Sequence, residues 1–212
     1  MLVRDDLRAI AFIAVLLLIF AVIATTVSVD ATAGFDRAVL LSLRDVANRA
    51  RPVGPEWLVE AARDFTSLGS VIVVLLFTGT AAGYWLLTGN RRSGLLLLAS
   101  VIGALLLNDL LKLIFDRARP DAILQSARVF TVGFPSGHAA LSCAAYLSAG
   151  ALIAREQRPA SRIFLIGVAA GVVALIGFSR LYLGLHYPTD VAAGWCVGAI
   201  WLLFCRWLLR RV

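Results

Sequence analysis

The chain has 212 residues, of which 60% are hydrophobic and only 16% are charged, and its mean hydropathy is +0.88. A soluble domain is roughly 45–50% apolar and about 25% charged, and a chain of this size cannot bury so large an apolar fraction in a globule. This composition excludes a soluble enzyme, a disordered chain and a nucleic-acid-binding module, despite a net charge of +7. We therefore expect an integral membrane protein that binds membrane lipids and no nucleic acid.

Uncharged runs of nearly the length that crosses a bilayer recur along the chain. They predict an all-α fold, a bundle of six transmembrane helices that forms one domain over residues 1–212. Small residues follow the first run, so a cleaved signal peptide remains an alternative to an uncleaved first span. The expected spans are approximately residues 9–29, 66–89, 93–114, 137–154, 163–179 and 190–208.

Residues 30–64, between the first two expected spans, are too polar to cross a membrane. Pro55 is placed to begin a short helix that contains Trp57. We expect an extramembrane helical segment at the interface, either a cap over the bundle or a gate for a substrate. Apolar residues recur in its first half at helical spacing, at Phe35, Val39, Leu43 and Val46.

The distribution of basic residues favours cytoplasmic termini. On that topology ten arginines face the cytoplasm and ten basic residues face the other side, but three of the latter belong to the polar clusters described below. Positive charge in short loops marks the cytoplasmic side. We therefore expect a protein of the inner (plasma) membrane whose functional site lies on the outer, periplasmic or extracellular, face.

Ionisable residues at the ends of membrane helices are costly and are usually functional. The first cluster of them follows the third expected span and contains Lys112 and Arg119. Lys112 is the only lysine among 20 basic residues. Asp109 and Asp116 lie three residues before it and four after it, so an ion cluster on one helix face is an alternative explanation.

Two further clusters flank the last three spans. Pro135-Ser136-Gly137-His138 precedes the fourth span, and Ser136 fits a helix N-cap that would aim free backbone N–H groups at an anion. Arg180, His186 and Asp190 lie between the fifth and sixth spans. Asp190 is within a short turn of His186, where it can bond one ring nitrogen and leave the other as a nucleophile or base.

The predicted topology brings all three clusters to one end of the bundle. Lys112, Arg119 and Arg180, with the N–H groups near Gly137, would form a cationic pocket for a tetrahedral dianion. The two histidines of the chain would face its axial positions. This constellation predicts phosphoryl transfer.

The spacing of these residues resembles the type 2 phosphatidic acid phosphatase superfamily, which includes integral membrane lipid phosphatases and vanadium haloperoxidases. The resemblance covers about residues 65–208. It rests on three motifs: Lys112 with six residues before Arg119-Pro120; Pro135-Ser136-Gly137-His138; and Ser179-Arg180 with five residues before His186 and three more before Asp190.

The resemblance implies a role for each matching residue. His186 would be the nucleophile, Asp190 would orient it, and His138 would act as general acid and then as general base. It implies no metal and no cofactor. Arg117 and Arg128 lie outside the motifs and are candidate headgroup contacts. The nonbridging oxygens of the phosphate would be held by Lys112, Arg119, Ser136, Gly137 and Arg180.

We therefore expect a metal-independent membrane phosphatase that hydrolyses a phosphomonoester or diphosphate on a lipid through a phosphohistidine. Candidate substrates are a polyprenyl diphosphate, a phosphatidylglycerol phosphate, phosphatidic acid or the phosphate of a glycolipid anchor. A lipid phosphotransferase of the same fold and a transporter with an ion pathway remain alternatives. The sequence indicates neither the individual lipid nor the oligomeric state.

Overall fold

The computed structural model describes residues 2–121, 124 and 132–209, and this part of the chain is helical without a β-strand. Five of its helices are long and apolar enough to cross a membrane, and a bent pair makes a sixth if it is counted as one span. The molecule is thus an all-helical integral membrane protein. The helices are α1 (Leu2–Ser28), α2 (Ala33–Ser42), α3 (Glu56–Ser67), α4 (Val71–Leu87), α5 (Arg91–Phe115), α6 (Gly137–Ala154), α7 (Pro159–Tyr182) and α8 (Pro188–Leu208).

The expected second span, residues 66–89, is divided in the structure. α3 ends at Ser67, α4 begins at Val71, and the two helices meet at an angle of 50°. The division has a local cause, because Ser70 has an extended conformation and its side chain accepts a hydrogen bond from the Val73 N–H as the N-cap of α4. Gly69, in the bend, packs against α6 and α7.

The polar segment after α1 contains two helices. The first of them is shorter than the expected helical pattern, which extends to Val46. α3 begins directly after Pro55, as expected. α2 ends at Ser42, however, and Val46 lies outside it with its side chain 93% exposed. After Ser42 the chain turns, with the N–H groups of Leu43 and Arg44 bonded to the carbonyls of Leu40 and Leu41, and Arg44 then bridges to Pro52 with its side chain buried.

α6 is the central helix of the bundle and packs against α4, α5, α7 and α8. The contact between α6 and α8 is close because small residues face each other. Gly194 of α8 packs against the carbonyl of Ser136, and Gly198 packs against the carbonyl of Ala140. Since α6 and α8 both begin at the same end of the bundle, this contact sets the distance between two segments that carry predicted site residues.

We predict that Gly198→Ala destabilises the bundle, because the added methyl would overlap the Ala140 carbonyl and contact Cys143. Overpacking of this kind costs roughly 1–3 kcal/mol. The matched control is Gly79→Ala in α4, where no atom lies within 4 Å of the new methyl and helix propensity favours alanine. The measurement is the thermal unfolding midpoint in detergent, and equal midpoints for the two variants would contradict the close contact.

Candidate active site

The last turn of α5 places Lys112 beside the start of α6. A Cβ atom on Gly137 would lie 3.5 Å from the Lys112 Nζ and 3.2 Å from the Asn108 Nδ2. Within the described residues Lys112 forms no ion pair with Asp109 or Asp116, so the alternative of a local ion cluster is not formed. The ammonium group therefore faces the N-terminus of α6.

Ser136 occupies the N-cap position of α6, as expected, but its side chain does not cap the helix. Its backbone N–H donates to the Asp190 carbonyl oxygen at 2.9 Å, which ties the start of α6 to the start of α8. The Ser136 hydroxyl is buried and has no hydrogen-bond partner in the described part of the chain. The hydroxyl and the N–H groups of the first turn are therefore available to a ligand.

His186 is buried between a guanidinium and a carboxylate. Its Nε2 lies 3.0 Å from the Arg119 Nη1, and its Nδ1 lies 3.4 Å from the Asp190 Oδ2. Because a guanidinium can only donate hydrogen bonds, Nε2 must supply the lone pair, and we assign the proton of the neutral ring to Nδ1. The imidazole thus presents its unprotonated nitrogen on the side of Arg119.

The surroundings of His186 keep its ring neutral. Burial, followed by the positive charges of Arg180 and Arg119, then by His138 and Lys112, holds the pKa of His186 well below its usual value of 6.5. Those four residues are all predicted site residues. Asp190, which lies beside the same ring, is a fifth. The structure therefore brings the three sequence clusters to one place.

The bend between α3 and α4 forms the flank of this site. Arg180 is 4% exposed and its Nη1 donates to the Thr66 Oγ1 at 3.0 Å, near the end of α3. A Cβ atom on Gly69 would lie 3.3 Å from the His138 ring, so His138 lies against the bend. The segment between α1 and α4 therefore contacts the site directly.

Arg117 is not free for a lipid headgroup, and that expectation is wrong. Its Nη1 lies 2.6 Å from the Asp190 Oδ1, and its Nη2 lies 2.8 Å from the Asp36 Oδ2. Both carboxylates are fully buried, and Thr189 donates to Asp36 as well. Since a buried carboxylate needs a partner, Arg117 is committed to holding Asp190 beside His186. Arg128, the other expected headgroup contact, lies outside the described residues.

Arg44 fixes the turn that leads to His186. It is buried and donates to the carbonyl oxygens of Tyr182 and Leu124, both at 2.7 Å. Gly184 has a φ of +69° and packs against the Leu124 carbonyl and the Arg44 guanidinium, where a side chain would collide. The backbone before His186 is thus set by an arginine from the segment between α1 and α4.

Sequence reasoning did not identify Asn108, Asp36 or Thr66. Asn108 is buried, and neither atom of its amide has a hydrogen-bond partner in the described ranges. Its signal was available, because it lies one helical turn before Lys112 on the same face of α5. Asp36 and Thr66 had no local signal, since their partners are 153 and 114 residues away.

Comparisons with known proteins show the family of this chain. A model of the PAP2 superfamily matches residues 93–212. Phosphatidylglycerophosphatase B of Bacillus subtilis is 30% identical over 191 residues, 87% of this chain and 88% of that protein. Undecaprenyl-diphosphatase of Sulfolobus acidocaldarius is 27% identical over 153 residues, 70% of this chain and 65% of that protein.

A solved structure has the same fold. The crystal structure of a transmembrane PAP2-type phosphatidylglycerolphosphate phosphatase from Bacillus subtilis superposes with a TM-score of 0.84, at 24% identity, over 94% of this chain and 96% of that one. The family model and the relative that is 30% identical show that the chain belongs to the PAP2 superfamily. It is an enzyme of the lipid phosphatase class.

We predict that Arg117→Gln strongly destabilises the protein, because it leaves two buried carboxylates without their cation. Removing one partner from a buried ion pair costs about 3–5 kcal/mol. The control is Arg51→Gln, which breaks an exposed ion pair with Glu56 and should cost less than about 1 kcal/mol.

A double-mutant cycle of Asp36→Asn and Arg117→Gln tests the pairing itself. The combined loss in unfolding free energy should be smaller than the sum of the single losses, because Asp36→Asn removes one of the charges that Arg117→Gln leaves unpaired. Additive losses in denaturant or thermal unfolding would show that the two side chains are not coupled.

Proposed function

We propose that this protein hydrolyses the phosphate ester or diphosphate of a membrane lipid through a phosphohistidine on His186. The observation that carries the proposal is the environment of its Nε2. That lone pair faces Arg119, and the positive charges of Lys112 and Arg180 act on the same ring. A neutral imidazole among fixed cations is suited to attack a phosphorus atom whose oxygens the cations hold.

Positioning and fixed positive charge supply most of the catalysis in phosphoryl transfer. Lys112, Arg119 and Arg180 would bind the nonbridging oxygens, together with the Ser136 hydroxyl and the N–H of Gly137. The Ser136 hydroxyl is suited to this role because it is buried without a partner among the described residues. The Asn108 amide has the same property and lies beside Gly137, so we add it to the phosphate-binding groups.

In the first step the His186 Nε2 would form a bond to phosphorus while the bond from phosphorus to the leaving oxygen breaks. His138 would donate its proton to that oxygen, and general acid help of this kind contributes roughly 10²–10⁴-fold. Asp190 would stabilise the positive charge that develops on the His186 ring. Arg119 must exchange its contact with Nε2 for a phosphate oxygen before the attack.

In the second step a water molecule would attack the phosphohistidine. His138, now neutral, would take the proton from the water, the bond between nitrogen and phosphorus would break, and Nε2 would recover its lone pair. The products are inorganic phosphate and a dephosphorylated lipid, or the lipid monophosphate if the substrate is a diphosphate. No step requires a metal ion.

An amphiphilic substrate is supported by exposed apolar residues around the site. Leu113 and Ile114 follow Lys112 on α5 and are 82% and 65% exposed, and Phe178 precedes Arg180 on α7 and is 50% exposed. These side chains face the region that lipid tails fill in a membrane, while the cations beside them face the phosphate. We propose that the lipid enters from the side, with the site on the outer face of the plasma membrane and both termini in the cytoplasm.

We predict that His186→Ala abolishes phosphate release and forms no phosphoenzyme, while His138→Ala forms one that decays slowly. The test uses a lipid phosphate labelled with ³²P and an alkaline detergent quench, because a phosphohistidine is stable to base and labile to acid. The oxygen of a leaving phenol of low pKa needs no proton. With such a substrate, His138→Ala should therefore slow the first step less than it does with a lipid phosphate. Labelled His186→Ala would refute the assignment of the nucleophile, and Arg158→Gln is the control for an exposed residue far from the site.

We also predict that purified protein releases phosphate from lipid phosphates in the presence of a chelator at the same rate as without it. The panel comprises phosphatidylglycerol phosphate, a polyprenyl diphosphate, phosphatidic acid and glycerol 3-phosphate as the substrate without tails. Lipids should exceed the tail-less substrate in kcat/KM by at least tenfold. A strict requirement for an added divalent metal would overturn the mechanism, and equal rates for glycerol 3-phosphate would overturn the lipid substrate.

A further inference from the structure

A second polar feature lies at the end of the bundle opposite the histidines. There the start of α5, the end of α6, the start of α7 and the end of α8 enclose a cavity of about 710 Å³. Its volume is within the range of small-molecule sites. Four guanidinium groups and one carboxylate line it, from Arg92, Arg155, Arg162, Arg206 and Asp6.

The cavity is separate from the active site. Arg92 is at the start of α5 and Lys112 is in its last turn, twenty residues later. At 1.5 Å per residue this separation is about 30 Å, close to the thickness of the hydrocarbon core of a bilayer. The two clusters of positive charge therefore lie in opposite headgroup layers of the membrane.

Neutral backbone groups hold two of these arginines in place. Arg162 donates to the carbonyl oxygens of Ala154 at 3.3 Å and of Arg155 at 3.1 Å, and Arg92 donates to the carbonyl of Leu209. Within the described residues, Arg92, Arg155 and Arg162 form no ion pair with a carboxylate. Neutral groups therefore position Arg92 and Arg162, and in the part of the chain that is described none of the three cations is paired with a carboxylate.

Below this charged rim the cavity is apolar except for hydroxyl groups. Leu152, Ile166 and Leu202 line it, and so does Ser148. The Ser148 side chain is fully buried, and its hydroxyl has no hydrogen-bond partner in the part of the chain that the structure describes. It lies six residues before the end of α6, about 9 Å below the rim.

We propose that this cavity binds the headgroup of an anionic diacyl phospholipid from the leaflet opposite the active site. The phosphate would lie among the guanidinium groups, because basic pockets between membrane helices select anionic headgroups. The ester region of the same lipid would reach the Ser148 hydroxyl, and the acyl chains would contact the apolar wall. The bound lipid joins the ends of four helices and so stabilises the fold by mass action.

The test measures thermal unfolding of the full chain in a neutral detergent during titration with phosphatidylglycerol. The midpoint should rise by several degrees, and phosphatidylcholine with the same acyl chains should not raise it. Arg92→Gln with Arg155→Gln should weaken the apparent affinity for phosphatidylglycerol at least tenfold. The matched control is Arg91→Gln with Arg158→Gln, because these exposed arginines have the same charge and do not line the cavity.

Ser148→Ala tests the depth of the site. It should weaken phosphatidylglycerol binding severalfold without lowering the midpoint of the lipid-free protein, since its hydroxyl has no bond to lose. Ser142→Ala, which removes a hydroxyl bonded to the Ala139 carbonyl, is the control and should leave lipid binding unchanged. The expected pattern separates lipid capture in the cavity from a general effect of substitution in α6.

Three results would overturn the proposal. The first is an equal affinity for phosphatidylglycerol in the cavity arginine variant and the control arginine variant. The second is an equal rise of the unfolding midpoint with phosphatidylcholine. The third is an equal rise with inorganic phosphate alone, which would assign the cavity to a free anion. Phosphate release by the Arg92→Gln, Arg155→Gln protein is measured in parallel. Retained release with lost lipid binding distinguishes this cavity from the active site, whatever the substrate of the enzyme.

Discussion

The site depends on one buried carboxylate, that of Asp190. One of its oxygens is paired with Arg117 at 2.6 Å, and the other accepts the Tyr187 N–H at 2.9 Å and lies beside His186. Its backbone carbonyl holds the N–H of Ser136. A single residue thus connects the segment after α5, the start of α6 and the start of α8. An unpaired buried charge is unfavourable, so this connection depends on the ion pair between Asp190 and Arg117.

The other side of His186 carries positive charges in place of a carboxylate. Lys112, Arg119 and Arg180 are positive charges brought together around a ring that burial and those charges keep neutral. Like charges in partly buried surroundings repel, so bringing them together is unfavourable. The interaction of Arg119 with the His186 Nε2 reduces this cost and occupies the lone pair. In the proposed mechanism a phosphate would remove both effects at once, since it would give the guanidinium a stronger partner and free the Nε2 lone pair.

Much of this site follows from the sequence because its parts are local. The motif around Ser136 begins a helix, and His186 and Asp190 are separated by one short turn, so topology alone brings them near Lys112. The contacts of Arg117 do not follow in that way, because its partner Asp36 lies 81 residues earlier, in a segment whose pattern indicates only an amphipathic helix. The bend before α4 is a similar case. Residues 66–89 have enough apolar side chains for one span, and the bend shows only in the structure, where Ser70 caps α4 and Gly69 packs against α6 and α7.

The net charge of +7 is best understood from where the basic residues lie. The hydrocarbon core between the two headgroup layers is about 30 Å thick, and the two clusters of cations are about as far apart along α5. At one end the cations lie around the His186 ring, and a lysine, which acts as a point charge, is present together with arginines. At the other end every cation is an arginine, two of them bonded to helix carbonyls, and the planar guanidinium suits static recognition of a phosphate. On the two proposals made above, the same electrostatic attraction would serve chemistry where a histidine is present and lipid binding where there is none.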